Sequence, residues 1–142
     1  MKRPEEFIAN PPLHDLIGLK VEEQTDSTAR VTIPLSDIIR GAAAPAHGGV
    51  LAALGDVACA AAIGQTFDPA VEIPVSTELH VRFYGQPKES PLIAEAELVH
   101  RGSRIIGAEC VIRDAAGRQV ARVSGTYMIV PGFGKLAKPP TG

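Results

Sequence analysis

From His47 to about Gln65 the sequence runs through Ala, Leu, Val, Gly and Cys with one charged side chain, Asp56, the only charge between Arg40 and Asp68. Ala and Leu favour helix, and this is the one convincing long helix in the chain. Its apolar residues fall on nearly every side, which predicts a helix buried all round. Such a helix needs a cover, and the rest of the sequence supplies strands. Leu19 to about Pro34 reads as a strand region divided by a polar turn near Asp26-Ser27, followed by a loop from Ser36 to Ala46. After the helix, Val75, Thr77, Leu79, Val81 and Phe83 alternate with Ser76, Glu78, His80, Arg82 and Tyr84, the period of a half-exposed strand. Leu92–His100, Arg104–Arg113 and Gln119–Val130 read as three more, the last two joined by a turn at Asp114-Ala115-Ala116-Gly117. One helix among antiparallel strands is an α+β layer architecture, and the arithmetic suggests a sheet wrapped around the helix. Such a sheet has edges, which a two-fold pairing of copies removes. A homo-oligomer is expected.

Length and composition narrow the classes. The 142 residues make about one domain, read here as 1–142 with a core of about 15–131, a short helix or loop through Pro11-Pro12 and a loose tail from Gly132. Net charge is −2, and no run or stripe of basic residues occurs, which argues against a nucleic-acid partner. The apolar run Val50 to Ile63 is broken by Asp56 and too short to span a bilayer, so no membrane partner is expected. Met1 to Glu6 lacks the apolar stretch of a signal peptide, and the cytoplasm is the expected location. Cys59 and Cys110 sit in apolar segments and read as small buried hydrophobes. His14, His80 and His100 share no metal-ligand spacing with one another. No metal is expected.

The chemistry concentrates at the start and middle of the helix. The glycines of His47-Gly48-Gly49 let another molecule approach the backbone without a side chain in the way, and the first turn of a helix has unpaired N–H groups at a positive dipole end. Those donors suit an oxygen that becomes negative during acyl transfer. Alone, the glycines are equally well explained by a tight loop. Asp56 adds weight, because a carboxylate set in an apolar segment is costly without a partner and clusters at functional sites. Gly49 and Asp56 are seven residues apart, so about 10 Å along one helix. If both act on one carbonyl, Asp56 comes from a second subunit. The small residues around it (Ala52, Ala53, Gly55, Ala58, Ala60, Ala61 and Ala62) are expected to leave room for an acyl group.

His47-Gly48-Gly49 with an Asp nine residues after the His resembles the signature of hotdog-fold acyl-CoA thioesterases, especially the phenylacetic-acid-degradation (PaaI) type. Val75 to Tyr84 followed by Pro87, Arg101-Gly102-Ser103-Arg104, Asp114 to Gly117, Val120-Ala121 and Gly125-Thr126-Tyr127 are similar to that family too, so the likeness covers roughly residues 15 to 131. It implies a hotdog fold, an antiparallel sheet wrapped around one long central helix, assembled as a homodimer or homotetramer. It implies hydrolysis of an acyl-CoA, with coenzyme A part of the substrate and no separate cofactor. Gly49 would polarise the thioester carbonyl through its N–H, His47 would shape the loop, and Gly48 would lie against the substrate. Asp56 from the partner subunit would be nucleophile or general base, and Ser76 would help hold a water. Arg101 and Arg104, flanking the Gly102-Ser103 turn, are candidates for the CoA phosphates, although basic residues beside turns are more often simply solvated. One departure is Gly41, where many relatives have an Asn six residues before the His. Two other readings stand beside hydrolysis. A non-catalytic acyl-CoA sensor would keep the pocket, and a hotdog-type hydratase or dehydratase would need a His beside Asp56.

Overall fold

The elements follow one another as α1 (Pro12–Ile17), β1 (Lys20–Gln24), β2 (Thr28–Ile33), a 3-10 turn (Asp37–Ile39), α2 (Gly48–Ala62), β3 (Glu72–Phe83), β4 (Leu92–Arg101), β5 (Ile105–Arg113) and β6 (Gln119–Pro131). They are seen in a computed structural model that describes residues 11–64, 66–68 and 71–131. Of the N-terminal helix or loop expected through Pro11-Pro12, residues 1–10 lie outside the described residues, as does the loose tail from Gly132. The six strands form one antiparallel sheet in the order β1-β2-β4-β5-β6-β3, with α2 across one face. This is the hotdog arrangement expected from the sequence. The six-residue helix α1, ended by Gly18 at φ 71°, was not assigned from the sequence.

The side chains facing α2 alternate along each strand: Ala29, Val31 and Ile33 on β2, Leu92, Ala94 and Ala96 on β4, Ile106, Ala108, Cys110 and Ile112 on β5. Ala121, Val123, Gly125 and Tyr127 continue the face on β6. From α2, Leu51, Leu54, Gly55, Ala58, Cys59, Ala61 and Ala62 are buried against it. The helix lies so close that a Cβ at Gly55 would stand 2.3 Å from Val123 Cγ2. Gln24 on β1 donates from Nε2 to Ala61 O at 2.7 Å, occupying one of the carbonyls left open where α2 ends.

Three expectations are corrected here. The helix is not buried all round, since Ala52, Ala53, Asp56, Val57 and Ala60 are only half-buried. The sheet covers one side of it, and a single six-stranded layer cannot reach the other. Gly55, Ala58, Ala61 and Ala62 do not leave room for an acyl group, because their small size is used up in the approach to the sheet. Finally, the alternation along β3 is broken. A bulge at Thr77 puts Ser76 opposite Tyr127 and Leu79 opposite Gly125, so Ser76 shares the helix-side face with Leu79, Val81 and Phe83. The register of Glu78, His80 and Arg82 no longer includes it.

The two sheet edges differ. β1 is five residues long and carries exposed Lys20, Glu22 and Glu23, which blunt it. β3 is twelve residues long and exposes Leu79, Phe83 at 56% and, just beyond its end, Tyr84. Pro74 fits there because an edge strand can lack one N–H.

The Gly55 contact decides between two opposed effects. Alanine in place of a mid-helix glycine gains about 1 kcal/mol of helix propensity, whereas forcing a methyl into a packed core costs about 1–3 kcal/mol. With 2.3 Å available the clash wins. Gly55→Ala is expected to lower stability by about 1–2 kcal/mol, and adding Val123→Ala should recover part of the loss. Urea midpoints at fixed protein concentration check both.

Candidate active site

α2 begins on a loop tied down before it. Gly41 N–H bonds Ala44 O at 2.9 Å, and His47 N–H bonds Ile39 O at 2.6 Å. His47 is the N-cap, and its Nδ1 accepts from Gly49 N–H at 2.9 Å. The ring lies against Gly49, where a Cβ would meet it at 3.0 Å, and a Cβ at Gly48 would stand 3.4 Å from Phe83. The space that Gly49 opens is thus taken up by the chain's own His47, and the Gly49 N–H already has an acceptor. Beside them is an open concavity of about 340 Å³ lined by Ala46, Gly48, Leu51, Phe83, Gly85 and Gln86. Another, of about 320 Å³, lies on the sheet face away from α2 among Glu23, Arg30, Glu95, Glu97, Glu109 and Arg122, and it contains none of the expected site residues.

Asp56 lies further along α2. Its Oδ1 accepts from Tyr127 Oη at 2.8 Å, and its backbone oxygen is 3.1 Å from the same hydroxyl. Oδ2 has no hydrogen bond among the described residues. Tyr127 is 2% exposed. Burial first, then the neighbouring Cys59 and Asp56, push its phenol far above the ordinary range, so it stays a donor. Its ring lies over Gly125, where a Cβ would be 2.6 Å from Cε2. Glycine here is a matter of space for the ring.

The chain brings Asp56, Tyr127 and the β3 register position of Ser76 to one part of the sheet, while Gly48 leans on Phe83, opposite Ala121 on β6. Ser76 is exposed and has no bond to Asp56. The β4–β5 turn lies at the Tyr127 end, because Ile106 pairs with Tyr127 and Ile129 N–H bonds Arg104 O. There Arg101 donates from Nη2 to Asp26 O at 3.2 Å, Gly102 has no room for a Cβ beside Ile105 O, and Arg104 and Ser103 are exposed. Among the described residues no three His, Cys, Asp or Glu gather as a metal-binding group, and no helix is long and apolar enough to cross a membrane.

Residues 46–121, more than half of the chain, match the family model of the thioesterase superfamily. The chain belongs to that superfamily, and thioester hydrolysis is the reaction class that goes with it. Solved structures share the fold. A thioesterase family protein from Silicibacter pomeroyi is 18% identical over 91% of this chain and 96% of its own, with a TM-score of 0.83. A variant of a thioesterase from Staphylococcus aureus is 24% identical over 85% and 100%, at 0.82. A Bacillus halodurans protein, determined with CoA, is 23% identical over 87% and 81%, at 0.79.

Tyr127 was not singled out for the site from the sequence. The signal was there, since Ala121, Val123, Gly125 and Tyr127 alternate toward the face that carries the helix, and a buried Tyr hydroxyl needs a polar partner.

Cys59 and Cys110 follow their reading as core residues. Both are buried. Burial raises the Cys59 thiol far above its ordinary value, helped by Cys110 and Asp56, and raises Cys110 to about 12. Thiolate is the reacting form, so at neutral pH the native protein is expected to resist iodoacetamide and to take up two carbamidomethyl groups only in denaturant, as read by intact mass.

Proposed function

We propose that the protein hydrolyses an acyl-CoA thioester, in the manner of the PaaI-type enzymes, at a site shared between two copies of the chain. The observation that carries the reading is Asp56: a half-buried carboxylate on an otherwise apolar helix, with Oδ1 held and Oδ2 free, in a chain of the thioesterase superfamily. Its neighbours in one chain do not include the Gly49 N–H, two helical turns away. The long exposed edge of β3 offers a two-fold pairing that supplies this donor from the second copy. The site asks only for a homodimer; a homotetramer would contain it twice over.

In the proposed reaction the thioester oxygen replaces His47 Nδ1 as acceptor of the Gly49 N–H, at the positive end of α2. His47 turns aside and lines the loop with Gly48. Asp56 of the other copy either removes a proton from a water that attacks the carbonyl carbon, or attacks it directly to give an acyl-aspartate that water then cleaves. In both cases the C–S bond breaks and CoA leaves as a thiolate that takes up a proton. Ser76, on the Asp56 side of the sheet, holds the water. Arg101, Arg104 and the Gly102-Ser103 turn meet the CoA phosphates, with Arg104 the freer cation because Arg101 is bonded to Asp26. No separate cofactor enters.

One observation favours binding without turnover, namely that Gly49 already has an acceptor in His47. A hydratase has less support, since the side chain bonded to Asp56 is Tyr127 and not a histidine. A thiol-release screen over aromatic, short and long acyl-CoAs separates the readings, and CoA binding with no release would establish the sensor. Asp56→Asn keeps an acceptor for Tyr127 and removes the charge. It should fold and melt like wild type while kcat falls by at least about 100-fold with KM little changed. A kcat within about threefold, well under that range, would remove Asp56 from the mechanism. Light scattering should give at least twice the 14.9 kDa chain mass, and a monomer with full turnover would sink the shared site.

A further inference from the structure

A buried tyrosine hydroxyl needs one acceptor, and Asp56 O at 3.1 Å would be enough for Tyr127. The structure has more than that, because the shorter contact, 2.8 Å, goes to the carboxylate. The ring that delivers the hydroxyl is fixed on all sides. It is 2% exposed, and it lies over Gly125 so closely that any Cβ there would be 2.9 Å from the phenol oxygen. The carboxylate it holds is attached to a helix that is itself fixed by the Gly55–Val123 contact one residue earlier. The result is a carboxylate with two unequal oxygens, Oδ1 bonded and Oδ2 open.

We infer that Tyr127 is a positioning residue, which pins Asp56 Oδ1 so that Oδ2 is the atom that acts on the thioester or its water. This rests on the hydrolysis reading of Asp56. Without the bond the side chain is free to turn about its χ angles, and neither carboxylate oxygen is held where Oδ2 now stands. Misplacement of a reacting group by about 1 Å costs on the order of 100-fold in rate. Tyr127 is only 2% exposed, so substrate binding should not depend on it.

The experiment uses Tyr127→Phe in the full-length chain, with phenylacetyl-CoA, hexanoyl-CoA and palmitoyl-CoA as probes and release of CoA thiol as the readout. The expected result is a fall in kcat of about 10- to 100-fold, KM within about twofold, as for loss of an interaction that does not bind substrate, and an unchanged oligomeric mass. In an Asp56→Asn background, Tyr127→Phe should change the residual kcat little, because the group it positions no longer acts. A purely structural Tyr127 predicts the reverse pattern, a lower melting temperature with kcat preserved in the molecules that remain folded, or losses that multiply in the double variant. Either outcome overturns the inference. If Tyr127→Phe does not fold, difluorotyrosine at 127 replaces it. That side chain keeps ring and hydroxyl but donates more strongly, so kcat should shift several-fold at constant KM, and no shift overturns the inference. Wild type that releases thiol from none of the three probes is a different failure, which removes the hydrolysis reading and the role of Tyr127 with it.

Discussion

The closeness of α2 to the sheet is the constraint on which the rest depends. Gly55 has no side chain, and Val123 fills the space where one would be. Neighbouring positions obey the same demand, with Ala58, Ala61 and Ala62 on the helix and Ala94, Ala96 and Ala108 on the strands. Larger side chains, among them Leu51, Leu54, Ile63, Ile33 and Leu92, fill the core around these positions. A helix held at this distance brings Asp56 within reach of a hydroxyl rooted in β6. A bulkier interface would lift the carboxylate away from it.

Much of this was legible in the sequence because the signals were periodic or compositional. The α2 segment, the β4, β5 and β6 strands and the turn at Asp114 were readable within a few residues. That turn is secured by the Asp114 side chain, which accepts from the backbone N–H groups of Lys88, Ala116 and Arg118; these bonds hold its carboxyl below the ordinary carboxylate range, the Lys88 bond foremost. The Thr77 bulge was not readable, because it adds one residue to a pattern that alternates perfectly on paper, and only the partner strand reveals the shift. The half-open flank of α2 was missed for a related reason. Composition says that a helix is apolar but not how many layers are available to cover it.

The candidate site shows the same division. Asp56 stood out as a lone charge, and His47-Gly48-Gly49 as a helix start. What the sequence could not give was the internal bonding of these groups, in which His47 is acceptor for Gly49 and Tyr127 is donor to Asp56. Both are contacts between residues that also serve the fold, one as a helix cap and the other as core. In the proposed site function and packing would use the same atoms, so neither residue type announces a second role.

The unequal edges of the sheet bear on how far association can go. A chain adhesive at both edges would add copies indefinitely, as in a fibre. Here β1 is short and charged, and only β3 is long and open. Copies that meet through β3 consume the one sticky margin each possesses, and the joined sheet then ends in β1 on both sides. Growth along the strand-pairing direction stops after a single step. The fold therefore carries its own stop signal against polymerisation, written in a five-residue strand at the opposite edge of the sheet from β3.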